Sequence, residues 1–159
     1  MPITAADIMT REIVTISPTT RVGEVARILS ERRVSALPVC DENGHLVGIV
    51  SEGDVLRPLR ESLASKRAEW LLALAEGENL SPEFLDSISA DTRSAADIMI
   101  RHVITAEEGA ELPHLAELMI RYNVKRLPVM SGAKLVGIVS RADLIKALAR
   151  APHATWLEA

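Results

Sequence analysis

The sequence of 159 residues predicts a mixed α/β (α+β) fold. Two β-α-β-β-α repeats are expected to pack sheet to sheet about a pseudo-two-fold axis, with a helical insert between them. Three observations carry this expectation. The chain repeats itself once; each copy joins a short β-branched run to apolar residues at helical spacing; and each copy then holds two apolar runs separated by a glycine-bearing turn.

The repeat is visible as identical motifs. Ala6-Asp7-Ile8-Met9 returns as Ala96-Asp97-Ile98-Met99, and Leu37-Pro38-Val39 returns as Leu127-Pro128-Val129. One residue is then dropped in the turn, after which Leu46-Val47-Gly48-Ile49-Val50-Ser51 returns as Leu135-Val136-Gly137-Ile138-Val139-Ser140, and Asp54 as Asp143. A period this long does not fit a solenoid of many short units. The organisation expected is a first repeat over 5–60, a helical insert over 61–94, a second repeat over 95–150 and a tail over 151–159.

Within the first copy, Glu12 to Ile16 is short and β-branched and reads as a strand. After Pro18-Thr19-Thr20, the residues Val22, Val25, Ala26, Ile28 and Leu29 recur at helical spacing. Ala36 to Cys40 and Leu46 to Val50 form the next two strands, and Asn43-Gly44 between them suits a tight hairpin turn. Ser51 stands where a helix N-cap belongs, Asp54 adds an acidic first turn, and Val55, Leu56 and Leu59 should share the buried face. The second copy repeats the order with Val103-Ile104-Thr105, a helix around Leu112 to Met119, a hairpin across Ser131-Gly132 and a helix from Ser140 to Leu148. A unit with one bare sheet face cannot hide it alone, which is the reason to expect the two copies to pack together.

The insert is read as amphipathic around Trp70, Leu71 and Leu74 up to Gly77, with a further short helix opened by Ser81-Pro82-Glu83. Residues 61–93 carry seven acids and three bases, which localises the whole net charge of -4. With no broad positive field and only Trp70, Phe84, Tyr122 and Trp156 as aromatics, nucleic-acid binding is not expected. The longest apolar run, Trp70 to Ala75, is far too short to span a bilayer, and the N-terminus lacks a signal-peptide pattern. A soluble, cytoplasmic protein with no membrane contact is expected. The single Cys40 excludes an intrachain disulfide and reads as a small core hydrophobe. His45, His102, His114 and His153 share no ligand spacing, so no metal site is expected. No nucleophile triad, Walker loop or dinucleotide fingerprint is present, and the chain is not expected to be an enzyme.

The strongest chemical signal is Gly-Ile-Val-Ser-x-x-Asp, at Gly48 to Asp54 and Gly137 to Asp143. A strand ending at a hydroxyl cap presents helix N–H groups to an anion, and the aspartate on the first turn can accept two hydrogen bonds from a ribose diol. The same pattern also serves as a purely structural cap. Residue spacing alone leaves both readings open.

These paired motifs resemble tandem CBS (cystathionine-β-synthase-type) domains, together a Bateman module, over most of the chain. The resemblance implies clefts between two packed repeats that take an adenosine-containing ligand such as AMP, ADP, ATP or S-adenosylmethionine. It also implies a disc-shaped homodimer and regulation of a protein partner, here in trans because no effector region is recognised. Carried over by position, Asp54 and Asp143 would hold ribose hydroxyls, Ser51 and Ser140 would meet phosphate or ribose, and Thr15 and Thr105 would line the adenine end. Val34, Val124, Pro38 and Pro128 would wall the pocket. The second copy has Lys125-Arg126 before its Leu-Pro-Val where the first has Ser35-Ala36. A guanidinium pairs bidentately with phosphate, so the Ser140/Asp143 site is expected to favour a phosphorylated nucleotide. The alternative expectation is a dimerisation scaffold that keeps this fold without a ligand.

Overall fold

A computed structural model describes residues 2–57 and 92–150. The tail and nearly all of the expected insert, with Trp70 and Leu59, lie outside the described residues. The chain divides into two compact units, one of residues 1–15, 40–47 and 101–159, the other of residues 16–39 and 48–100. Each unit therefore draws on both copies of the repeat.

In the first unit, α1 (Ala5–Ile8) precedes β3 (Ala106–Glu107), α4 (Leu112–Arg121), β4 (Arg126–Ser131), β5 (Lys134–Ser140) and α5 (Arg141–Arg150). The central β4 runs parallel to β3 and antiparallel to β5. Leu127 and Val129 of β4, Val139 of β5, Leu115 and Met119 of α4, and Leu144 and Ala147 of α5 form one buried cluster with Ala5 and Met9. The apolar stripe of α4 meets one face of the sheet, as its 3.6-residue period requires. Ser131 pairs with Lys134 across Gly132, whose φ of 61 suits glycine at the first central position of a type II′ turn.

The leader 3–10 is tied into this unit by its backbone. Ala5 N–H donates to Ala110 O at 2.8 Å, Leu112 N–H donates to Ile3 O at 3.1 Å, and Thr10 and Ile138 exchange bonds of 2.9 and 3.0 Å. The Met9 side chain covers Gly137 so closely that a Cβ there would stand 2.7 Å from Met9 Cγ. Only a residue without a side chain fits beneath it.

The second unit contains α2 (Val22–Arg32), β1 (Ala36–Cys40) up to Val39, β2 (Leu46–Ser51) from Gly48 on, helical residues 52–57 and α3 (Ala95–Ile98). The buried side chains of Val22, Val25, Leu29, Leu37, Val39, Val50 and Val55 make up its core with Ile16 and Ala95. Here the leader of the second copy does the corresponding work. Ala95 N–H donates to Thr20 O at 2.7 Å, Val22 N–H donates to Arg93 O at 2.9 Å, and Ile49 and Ile100 exchange bonds of 3.0 and 2.9 Å. Met99 lies against Gly48, where a Cβ would meet its Cγ at 2.9 Å.

Three expectations about elements change, and two short helices add to them. The strand over 12–16 reduces to one parallel bridge, Ile16 with Val39, and 103–105 is irregular, with pairing delayed to Ala106–Glu107. The Ala-Asp-Ile-Met segments are single helical turns, each opened by a Ser/Thr-x-x-Asp box. In the β1–β2 turn Gly44 N–H donates to Asp41 O and Gly44 alone has positive φ, so this is not a two-residue Asn-Gly turn; the Asp41 carboxylate organises it by accepting the N–H groups of Asn43 and His45. Leu56 is 60% exposed and does not share the buried face with Val55.

Candidate functional site

In both copies the last strand runs directly into a helix, and a serine and aspartate close the junction. Ser140 N–H donates to Asp143 Oδ2 at 2.8 Å, while Asp143 N–H donates to Ser140 Oγ at 3.2 Å. Ser51 N–H donates to Asp54 Oδ2 at 2.8 Å, and Ser51 Oγ–H donates to the same oxygen at 3.0 Å. The cap reading is therefore realised at both sites. One carboxylate oxygen of each aspartate is committed to it, and the use of the second oxygen separates the two copies.

Asp54 is buried, with its side chain 1% exposed, and its Oδ1 faces Arg57 Nη1 at 3.4 Å. Asp143 is half-buried, and among the described residues its Oδ1 has no partner. Lys146, which occupies the Arg57 position of the second copy, makes no ion pair with the described residues. Asp143 instead opens on a cleft of about 350 Å³ within the first unit. Its walls are Ile3, Asp7 and Ile8 of the leader against Asp143, Lys146 and Arg150 of α5. Asp7 has one oxygen taken by Thr4, whose N–H and Oγ–H donate at 2.8 and 3.1 Å. These bonds, the backbone one foremost, hold the Asp7 carboxyl below the usual aspartate range.

The remaining expected residues can be placed. Arg126 pairs in register with Ser140, and Arg141 N–H donates to Lys125 O at 3.0 Å, so the backbone of Lys125 and Arg126 runs beside Ser140 and Arg141. Lys125 is exposed and Arg126 half-buried. Val124 and Thr105 are half-buried in the same unit, and Pro128 is fully buried in β4. In the other unit, Val34 is half-buried and Pro38 is fully buried in β1. Thr15 is exposed and groups with the first unit, one residue before the Ile16 bridge.

The helix N-termini offer an anion less than the sequence pattern suggests. Arg141 N–H is taken by Lys125 O and Asp143 N–H by Ser140 Oγ; in the first copy, Glu52 N–H is taken by Ser35 O at 3.0 Å. Any anion here depends more on side-chain cations than on free amides. Cys40 is half-buried and stands outside the fully buried core expected for it; burial first and the Asp41 charge second push its thiol pKa up, in keeping with an unreactive thiol. Among the described residues, no helix is long and apolar enough to cross a membrane, and no group of three or more His, Cys, Asp or Glu side chains is placed to hold a metal. Arg57, Lys146 and Arg150 were not singled out by sequence reasoning, although their spacing from Asp54 and Asp143 puts them on the same helical face.

This fold and the paired strand-to-helix junctions define a CBS domain pair. The CBS domain family profile matches residues 5–61 and 95–150, and the chain belongs to that family. It is 32% identical over 154 residues to the uncharacterized protein MJ1426 of Methanocaldococcus jannaschii, covering 89% of each chain. It spans 23% to 63% of the length of seven further curated relatives. Among solved structures it is similar to CBSX2 of Arabidopsis thaliana in complex with AMP, with a TM-score of 0.70 and 27% identity, covering 94% of this chain and 98% of that one. It is equally similar, at TM-score 0.70 and 26% identity over 94% and 98% of the two chains, to the CBS domain pair of MJ0100 with 5′-methylthioadenosine and S-adenosyl-L-methionine.

Proposed function

We propose that the chain is a non-catalytic regulatory module that senses an adenosine-containing ligand at Asp143 and acts on a protein partner in trans as a homodimer. AMP, ADP, ATP and S-adenosylmethionine are the candidate ligands. The observation that carries this reading is the Oδ1 of a half-buried Asp143, which has no partner among the described residues and opens on a cleft. An acceptor held by its own cap cannot swing away, so it is preorganised for a hydroxyl. Relatives solved with AMP and with S-adenosyl-L-methionine supply the ligand class.

Calorimetric titration with AMP tests the assignment. Asp143→Ala is expected to weaken binding at least about tenfold, the equivalent of one good hydrogen-bonded contact. Asp54→Ala is expected to change it little. Equal losses in the two variants would sink the asymmetry. Melting curves unmoved by adenylates and S-adenosylmethionine would favour a scaffold, since a ligand specific to the folded state must raise Tm by mass action.

A further inference from the structure

We infer that Lys146 and Arg150 form an anion subsite next to Asp143, built for a nucleotide carrying a chain of two or more phosphates. The inference rests on the reading of Asp143 as the ribose acceptor. Three observations point the same way. Asp143, Lys146 and Arg150 lie on one face of α5 and line one cleft. Neither cation has an ion-pair partner among the described residues. At the equivalent first-copy position, the cation Arg57 is already turned onto its aspartate.

The helical rise places Lys146 about 4.5 Å and Arg150 about 10.5 Å along the axis from Asp143. A phosphate attached to a ribose at Asp143 comes first to Lys146, one turn nearer than Arg150. A chain of phosphates can meet both, with Lys146 as a mobile point charge and Arg150 as a planar fork at the far end. Among the described residues, the only other charge lining the cleft is Asp7, which has one oxygen already bonded to Thr4. Ile3 and Ile8 form the opposite wall and exclude some water from the ion pairs that would form.

The test is calorimetric titration of the full chain with AMP, ATP and inorganic tripolyphosphate, in the native protein and in the Lys146→Ala/Arg150→Ala double variant. Both side chains are exposed, and an unchanged melting temperature shows that the variant folds. ATP is expected to bind at least about tenfold tighter than AMP, the worth of one added charge-assisted contact. That gain should vanish in the double variant and shrink as salt rises, with AMP affinity falling less than ATP affinity. ATP no tighter than AMP, or a gain that survives the double variant, overturns the subsite and leaves the AMP reading intact. If no nucleotide binds, the Asp143 reading fails and tripolyphosphate decides alone. Its binding, lost in the double variant, keeps the subsite; no binding, or binding indifferent to the variant, removes it.

Discussion

Arg57 turns its guanidinium onto Asp54, with 3.4 Å between Nη1 and Oδ1, whereas Lys146 in the corresponding place leaves Asp143 open. The first copy thus satisfies internally an oxygen that the second copy leaves available. Because Arg57 is 65% exposed, the pair is screened and contributes no more than about 1 kcal/mol to stability. Arg57→Ala is therefore expected to leave Tm nearly unchanged while freeing Asp54. Titration with AMP should then report a second, weaker binding event that the native protein lacks. A stoichiometry unchanged by Arg57→Ala would show that burial, rather than the ion pair, keeps Asp54 closed.

The contact of Met9 with Gly137 makes a different prediction. A methyl group at 137 would press on Met9 Cγ at 2.7 Å and on Met9 Cβ at 3.1 Å, so Gly137→Ala is expected to destabilise by about 1–3 kcal/mol, as overpacking does. Met9→Ala makes room, and the double variant should recover part of the loss in a thermodynamic cycle. Additive losses would contradict the packing described. At Gly48 the added methyl also meets Ile100 O at 3.1 Å, so Met99→Ala should rescue Gly48→Ala less completely.

The leader turn has a pH signature. The Asp7 carboxyl is depressed chiefly by the Thr4 backbone bond and then by the Thr4 hydroxyl, so it ionises more readily folded than unfolded. Its contribution to stability is complete above the ordinary aspartate range and is lost as pH falls through the lower folded value. Asp7→Asn should therefore lower Tm at neutral pH, and the gap from the native protein should close as the solution is acidified below that range. A gap independent of pH would assign the effect to shape rather than charge.

Helix α2 ends in a strained residue. Arg33 adopts φ 53 and ψ 40 as its C-cap, a left-handed conformation that costs a residue with a side chain about 1–2 kcal/mol. Arg33→Gly should raise stability by about 0.5–1 kcal/mol after the extra entropy of glycine in the unfolded chain is counted. Asn123, at φ 51 after α4, tolerates this region better, so Asn123→Gly should gain less. Differential scanning calorimetry of the two variants checks the order.

The helices and hairpins were legible because their periods are local: α2 and α4 announce themselves at 3.6 residues, and β1, β2, β4 and β5 as apolar runs flanking glycine turns. The fold class was legible for the same reason, twice over. The leader helices were missed because one turn is too short for any period, although Thr4-x-x-Asp7 and Ser94-x-x-Asp97 were visible as capping boxes. Residues 12–15 carry strand propensity, but only Ile16 pairs, because propensity describes fit to a neighbour and says nothing about whether one is present. At the site, Ser140 and Asp143 could be read as a pair. The difference between Arg57 and Lys146 could not, because it depends on a side-chain placement that two nearly equivalent sequences leave open.

The leaders also impose an order on synthesis. The second unit needs Ala95 and Met99 to close over strands translated some 50 residues earlier, and the first unit holds Met9 until Gly137 has been made. Neither unit can complete its backbone bonding on a half-made chain, so a nascent product arrested between the repeats would be missing a strap in one unit and most of a sheet in the other. The same threading means that expressing residues 5–60 alone should yield a fragment prone to recruit the leader of a second molecule.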